Sequence, residues 1–87
     1  MEIGDLILSG WKEYEVNTSL SGCDRSFFKK FEGHQIELRM WDFTKYGHKV
    51  AWDISGNLDN VHIQISLTLD RLEEECQNML RMFKIAN

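Results

Sequence analysis

At 87 residues the chain has room for one small hydrophobic core and no second one, since domains of this size bury only roughly two-thirds of the surface they expose when unfolded. Hydrophobic residues at 43% and charged residues at 28% exclude a disordered tail and fit a packed domain. The formal charge of −4, from 14 acidic and 10 basic residues, favours solubility and weakly opposes generic phosphate binding.

Ile3, Leu6 and Ile7 fall on one helical face, and Ser9-Gly10 limits that helix to two turns. From Trp11 the spacing changes: Tyr14, Val16, Thr18 and Leu20 alternate with polar residues, which predicts a half-buried strand. Ser21-Gly22-Cys23-Asp24 ends it as a loop. The segment "RSFFKKFEGHQIELRMWDF" reads as a hairpin turning near Glu32-Gly33-His34, with its register open.

The next hairpin has a more definite expectation. With Tyr46-Gly47 as a two-residue loop, Lys45 faces His48, Phe43 faces Val50 and Trp41 faces Trp52. That pairing explains the twice-occurring Trp-Asp dipeptide, at residues 41 and 52, as two facing strands. Gly56-Asn57-Leu58-Asp59-Asn60 reads as a turn cluster. In "VHIQISLT", Val61, Ile63, Ile65 and Leu67 lie on one face, with His62, Gln64, Ser66 and Thr68 on the other. Leu69, Leu72, Cys76, Met79, Leu80 and Phe83 then form the stripe of a C-terminal helix. Thr68 or Asp70 serves as its cap, and glutamates at its start with Arg81 and Lys84 towards its end complement the dipole.

The apolar sheet face, taken as Trp41, Phe43, Val50, Trp52, Ile54, Val61, Ile63, Ile65 and Leu67, needs the helix stripe as its cover. The expected fold is therefore α+β, one domain over residues 1–87: an antiparallel meander of four to five strands covered on one face by a C-terminal helix, with a short N-terminal helix. No apolar run approaches the roughly 20 residues of a membrane span, and the start "MEIGDLILSG" lacks the basic flank and apolar stretch of a signal peptide. Cytoplasmic location is the expectation, with Cys23 and Cys76 as free thiols in a reducing compartment.

Few residues invite a chemical reading. Asp42 and Asp53 fall diagonally on the face opposite the tryptophans, where they read as solvated carboxylates; no nucleophile or Gly-rich loop accompanies them, so no enzyme and no cofactor is expected. His34, His48, His62, Cys23 and Cys76 lack the short spacings of structural zinc sites, so no metal is expected either. Asp42, Asp53, Asp59, Glu73, Glu74 and Glu75 are the candidates for steering towards a basic site on a partner. Met82 and Ile85 lie off the helix stripe and mark a candidate dimer or partner interface. In "RSFFKKF", Arg25, Phe27, Phe28, Lys29 and Lys30 offer an alternative nucleic-acid platform.

Residues 1–26 carry a resemblance. Met1, Ile3, Asp5, Leu6, Ile7, Lys12, Tyr14, Val16, Leu20, Ser21, Gly22, Asp24 and Ser26 make this stretch similar to the start of a small acidic prophage anti-CRISPR inhibitor of type II RNA-guided nucleases. The resemblance implies a cytosolic inhibitor that occupies the nuclease's DNA-reading site by means of its acidic charge. Here the charge is −4, milder than in that inhibitor, and residues 25–31 are basic. The expectation is a small acidic protein-binding module whose partner is a larger host protein such as a CRISPR nuclease. The alternatives are a nucleic-acid-binding module and a structural or regulatory homo-oligomer joined through an edge strand or through Met82 and Ile85.

Overall fold

A computed structural model describes residues 2–14, 23–58 and 60–86, apart from the side chains of residues 85 and 86. Among the described residues, two helices and five strands follow in the order α1 (Ile3–Leu8), β1 (Lys12–Tyr14), β2 (Arg25–Phe31), β3 (His34–Trp41), β4 (Ala51–Leu58), β5 (Val61–Leu67) and α2 (Leu72–Ala86). The strands form one antiparallel sheet in sequence order, so the α+β meander expected from the periodicities is the observed fold. No helix among the described residues is long and apolar enough to cross a membrane.

Side-chain and backbone chemistry at its ends fixes α1. The Glu2 backbone N–H donates to the Asp5 carboxylate at 2.8 Å, satisfying a donor that a helix N-terminus leaves orphaned. At the other end the Gly10 N–H donates to the Ile7 carbonyl and the Trp11 N–H to the Leu6 carbonyl, the two bonds of a Schellman motif. Gly10 has φ +95°, a conformation that side chains disfavour. The Lys29 ammonium donates to the Ser9 carbonyl at 2.6 Å. These closures bring Leu6 and Trp11 into the core.

β1 is described as far as Tyr14; Val16, Thr18 and Leu20 lie outside the described residues, as do residues 15–22 generally. β2 and β3 join through Glu32-Gly33, with Phe31 facing His34. Both turn residues have positive φ, 51° and 84°, the signature of the type I′ connection that matches strand twist.

The following hairpin corrects the sequence reading by one residue. Met40, not Trp41, faces Trp52, and Trp41 faces Ala51. The ladder stops there, and residues 42–50 form a loop containing a 3₁₀ turn at Thr44–Tyr46. The Asp42 backbone N–H is taken by the Asp24 carboxylate at 2.6 Å, and the Asp42 carboxylate accepts the Thr44 N–H at 2.9 Å and the Thr44 hydroxyl. Such local side-chain bonding competes with a strand ladder. Because side chains alternate with period 2, a one-residue slip exchanges faces: Trp41 points away from the core, while Phe43 and Val50 are exposed in the loop rather than on the apolar face.

Gly56, Asn57 and Leu58 also belong to a strand rather than to a turn. Gly56 sits where α2 presses closest to the sheet: a Cβ there would come within 2.8 Å of the Phe83 ring and 2.9 Å of the Met79 sulfur. Glycine at this position is the condition for seating the helix.

A 3₁₀ turn at Leu69–Arg71 leads into α2. Leu72, Cys76, Met79, Leu80 and Phe83 are all buried and, with Phe27, Ile36, Leu38 and Ile54, form the core between α2 and one sheet face. The helix C-terminus is seated on the β2–β3 hairpin by the His34–Phe83 ring contact at 5.3 Å and the Lys84–Glu32 ion pair at 3.4 Å. Burial pushes the Cys76 thiol up to about 12, with the Glu73 carboxylate adding to the shift. No disulfide joins Cys76 to the buried Cys23.

Candidate functional site

Every strand that places one residue on α2's side places the next on the opposite side. One row of that second face runs Tyr14, Ser26, Arg39, Asp53 and Ser66 across β1 to β5, and the adjacent row runs Lys12, Phe28, Glu37, Ser55 and Gln64. Trp41 opposite Ala51 and Asn57 opposite His62 lie beyond them. Neither described helix packs on this face.

A chain of side chains organises it. The Arg39 guanidinium donates to one Asp53 oxygen at 2.9 Å, and the Gln64 amide donates to the other at 2.8 Å. The Arg39 guanidinium also lies 5.1 Å from the centroid of the Trp41 ring, within reach of a cation–π attraction. Asp53 is only 5% exposed, and a carboxylate so enclosed needs its donors. Trp41, Arg39, Asp53 and Gln64 thus form a pre-set polar and aromatic surface across β3, β4 and β5.

On β1 and β2 the Tyr14 and Phe28 rings meet at 5.5 Å. Burial raises the Tyr14 phenol above its ordinary value; the Ser26 hydroxyl works the other way, and the Glu37 carboxylate adds to the rise. Tyr14 therefore stays a neutral hydroxyl throughout the physiological range. A cleft of about 340 Å³ at this margin is lined by Gly10, Lys12, Phe28, Lys29 and Lys30.

The acidic residues singled out in the sequence do not meet. Asp53 is an internal partner of Arg39 and Gln64, not a solvated carboxylate, and it shares its face with Trp41. Asp42 is exposed in the loop past the end of β3, where its bonds to Thr44 hold its carboxyl below the usual range. Asp59 lies outside the described residues. Glu73 and Glu74 are exposed on α2 and Glu75 is half-buried; Arg71 pairs with Glu74 at 3.1 Å and with Glu75 at 3.4 Å. The helix and Asp53 are thus on opposite sides of the sheet.

The "RSFFKKF" segment divides in the same way. Phe27 is fully buried under α2, Arg25 holds Glu13 with two bonds at 2.6 and 2.7 Å, and Lys29 ties down α1 while lying 5.0 Å from the Phe31 ring centroid. Phe28 and Lys30 alone of the named five lie on the face opposite α2. A platform built from all five is excluded by strand alternation. Met82 is 44% exposed, and the Ile85 side chain lies outside the description.

Arg39, Gln64, Tyr14 and Glu37 were not singled out in the sequence reading. Their signal is the run Ile36, Leu38, Met40: once these apolar residues are assigned inward, Glu37, Arg39 and Trp41 must project together to the other side.

No protein-family model, curated protein or solved structure matches the chain.

Proposed function

We propose that this domain is a protein-binding module that acts by occupying a surface of a larger partner, and that its contact surface is the sheet face opposite α2. The carrying observation is the Trp41–Arg39–Asp53–Gln64 chain, with Tyr14 and Phe28 beside it. Tryptophan, tyrosine and arginine are the residues that most often dominate binding energy at protein interfaces. Here their geometry is set before binding, which reduces the ordering cost of association. The net charge of −4 disfavours a polyphosphate partner. The similarity of residues 1–26 to the anti-CRISPR family supports the finer form of the proposal, a phage-type inhibitor of a host nucleic-acid enzyme such as a type II RNA-guided nuclease. In that form Asp42, Glu73 and Glu74 act through long-range steering.

The test is capture from nuclease-treated bacterial lysate by the immobilised protein, beside a Trp41→Ala variant. Trp41 stands at the end of its ladder, so its truncation leaves the core intact. The proposal expects a large protein that the wild type retains and the variant releases. Equal capture by both would remove the sheet face from the account.

A nucleic-acid reading has one specific observation in its favour, the three lysines around Phe28 in the 340 Å³ cleft. It expects that capture disappears with nuclease treatment, and that binding falls steeply with salt and with neutralisation of Lys12 and Lys30.

A further inference from the structure

The two outer strands of the sheet are unlike each other. The described part of β1 carries the charged pair Lys12-Glu13, and charge on an edge discourages strand addition. β5 is seven residues long, Val-His-Ile-Gln-Ile-Ser-Leu, and faces β4 one residue to one residue from Val61 to Leu67. It therefore has no bulge, no proline and no acidic, lysine or arginine residue. Among the described residues its other side pairs with no strand. Within β5 itself no bulge, proline or charge protects this edge.

Its sequence is also a palindrome in polarity about Gln64. Reading outward in both directions gives isoleucine at 63 and 65, a polar residue at 62 and 66, and an aliphatic residue at 61 and 67. Antiparallel strands related by a two-fold axis at Gln64 would place Ile63 against Ile65 of the second copy, His62 against Ser66, and Val61 against Leu67. Each contact is like with like, and no pair sets two charges opposite each other. The same two-fold matches the burial pattern. Val61 is 39% exposed on the helix side, and Leu67 lines a cleft of about 440 Å³ with Ser66, Thr68, Arg71 and Glu75. The symmetric register brings each copy's Val61 to the other's cleft.

We infer that β5 is a self-association edge: two copies of the chain pair antiparallel through β5 about Gln64, forming a closed two-fold dimer with a continuous ten-stranded sheet. The interface is isologous and closed, because each copy's β5 edge is taken up by the other's. This inference rests on β5 alone and is independent of what binds the face opposite α2.

Sedimentation velocity across micromolar to millimolar concentration tests it, with circular dichroism to confirm folding. The wild type should move from the 10.3 kDa chain to twice that mass. His62→Lys with Ser66→Lys sets lysine against lysine twice in the dimer and should weaken association roughly tenfold or more. His62→Glu with Ser66→Glu should do the same, and mixing the two variants should restore a dimer containing one of each. Gln64→Lys, which keeps a donor for Asp53, is the second route should the double variants fail to fold, and it too should weaken association. A wild type that stays monomeric throughout overturns the inference. So does a dimer that folded variants leave unchanged, or a mixture that forms no mixed dimer.

Discussion

On the helix side of the sheet, Phe27, Leu38 and Ile54 are completely buried because two helices lie over them. On the other side Asp53 and Ser55, at 5% exposure, are nearly as buried although no described helix lies there. There Arg39 from β3 and Gln64 from β5 reach over β4 and close on the Asp53 carboxylate. Burial by layering needs apolar shape and tolerates little else. Burial within a single layer is polar, directional and leaves the tops of the side chains facing outward. The first kind of face stabilises the fold and the second is suited to recognition.

The largest effect that would sharpen this contrast lies in the helix-side core. Phe83→Ala removes a ring packed against His34 and Gly56 and should destabilise the fold by about 3–5 kcal/mol. Trp41→Ala, at the rim of the other face, should lower stability by roughly 1–2 kcal/mol. Denaturant unfolding of the two variants side by side checks the difference; equal losses would erase the distinction between the faces. Next comes Arg39→Ala, which leaves the enclosed Asp53 carboxylate with Gln64 as its one side-chain donor among the described residues. It should lower stability by about 2–3 kcal/mol, and adding Asp53→Ala should restore part of the loss. A double variant as weak as the sum of its parts would show that the pair is not coupled.

The smallest effect is at the margin. Its hydrogen bond to Arg25 holds the Glu13 carboxyl below its ordinary value, against a smaller opposing contribution from desolvation. The folded state therefore takes up this proton less readily than the unfolded chain. The contribution is present above the ordinary carboxylate range and is lost as pH falls through the depressed folded value. Both partners are 37% exposed, so screening limits it to roughly 0.2–0.5 kcal/mol. Glu13→Gln should unfold slightly earlier than the wild type at about pH 7, with the difference shrinking as the pH is lowered through the depressed carboxyl value.

How far the sequence discloses these faces depends on whether the relevant contact is local. The stripe from Leu72 to Phe83 and the alternation from Val61 to Leu67 are contained in single elements, and both are observed. The Trp41–Trp52 pairing fails because the loop is fixed by Asp24, 18 residues from Asp42 along the chain, rather than by Tyr46-Gly47. That single slip moves Trp41 to the face opposite α2. Asp53 reads as solvated for a related reason: its partners lie 14 and 11 residues away, and local polarity patterns carry no trace of them. Gly56 reads as a turn residue because glycine usually marks turns; the approach of Phe83 and Met79 that requires it comes from a different element.

Oxidative footprinting of the protein, free and bound to its captured partner, tests the division between the faces most directly, since hydroxyl radicals label exposed aromatic and sulfur side chains. The account predicts protection of Trp41, Tyr14 and Phe28 on binding, with Met82 on α2 and Tyr46 in the 42–50 loop labelled as before. Protection of Met82 or Tyr46 with Trp41 left unchanged would contradict it and move the binding surface off the sheet.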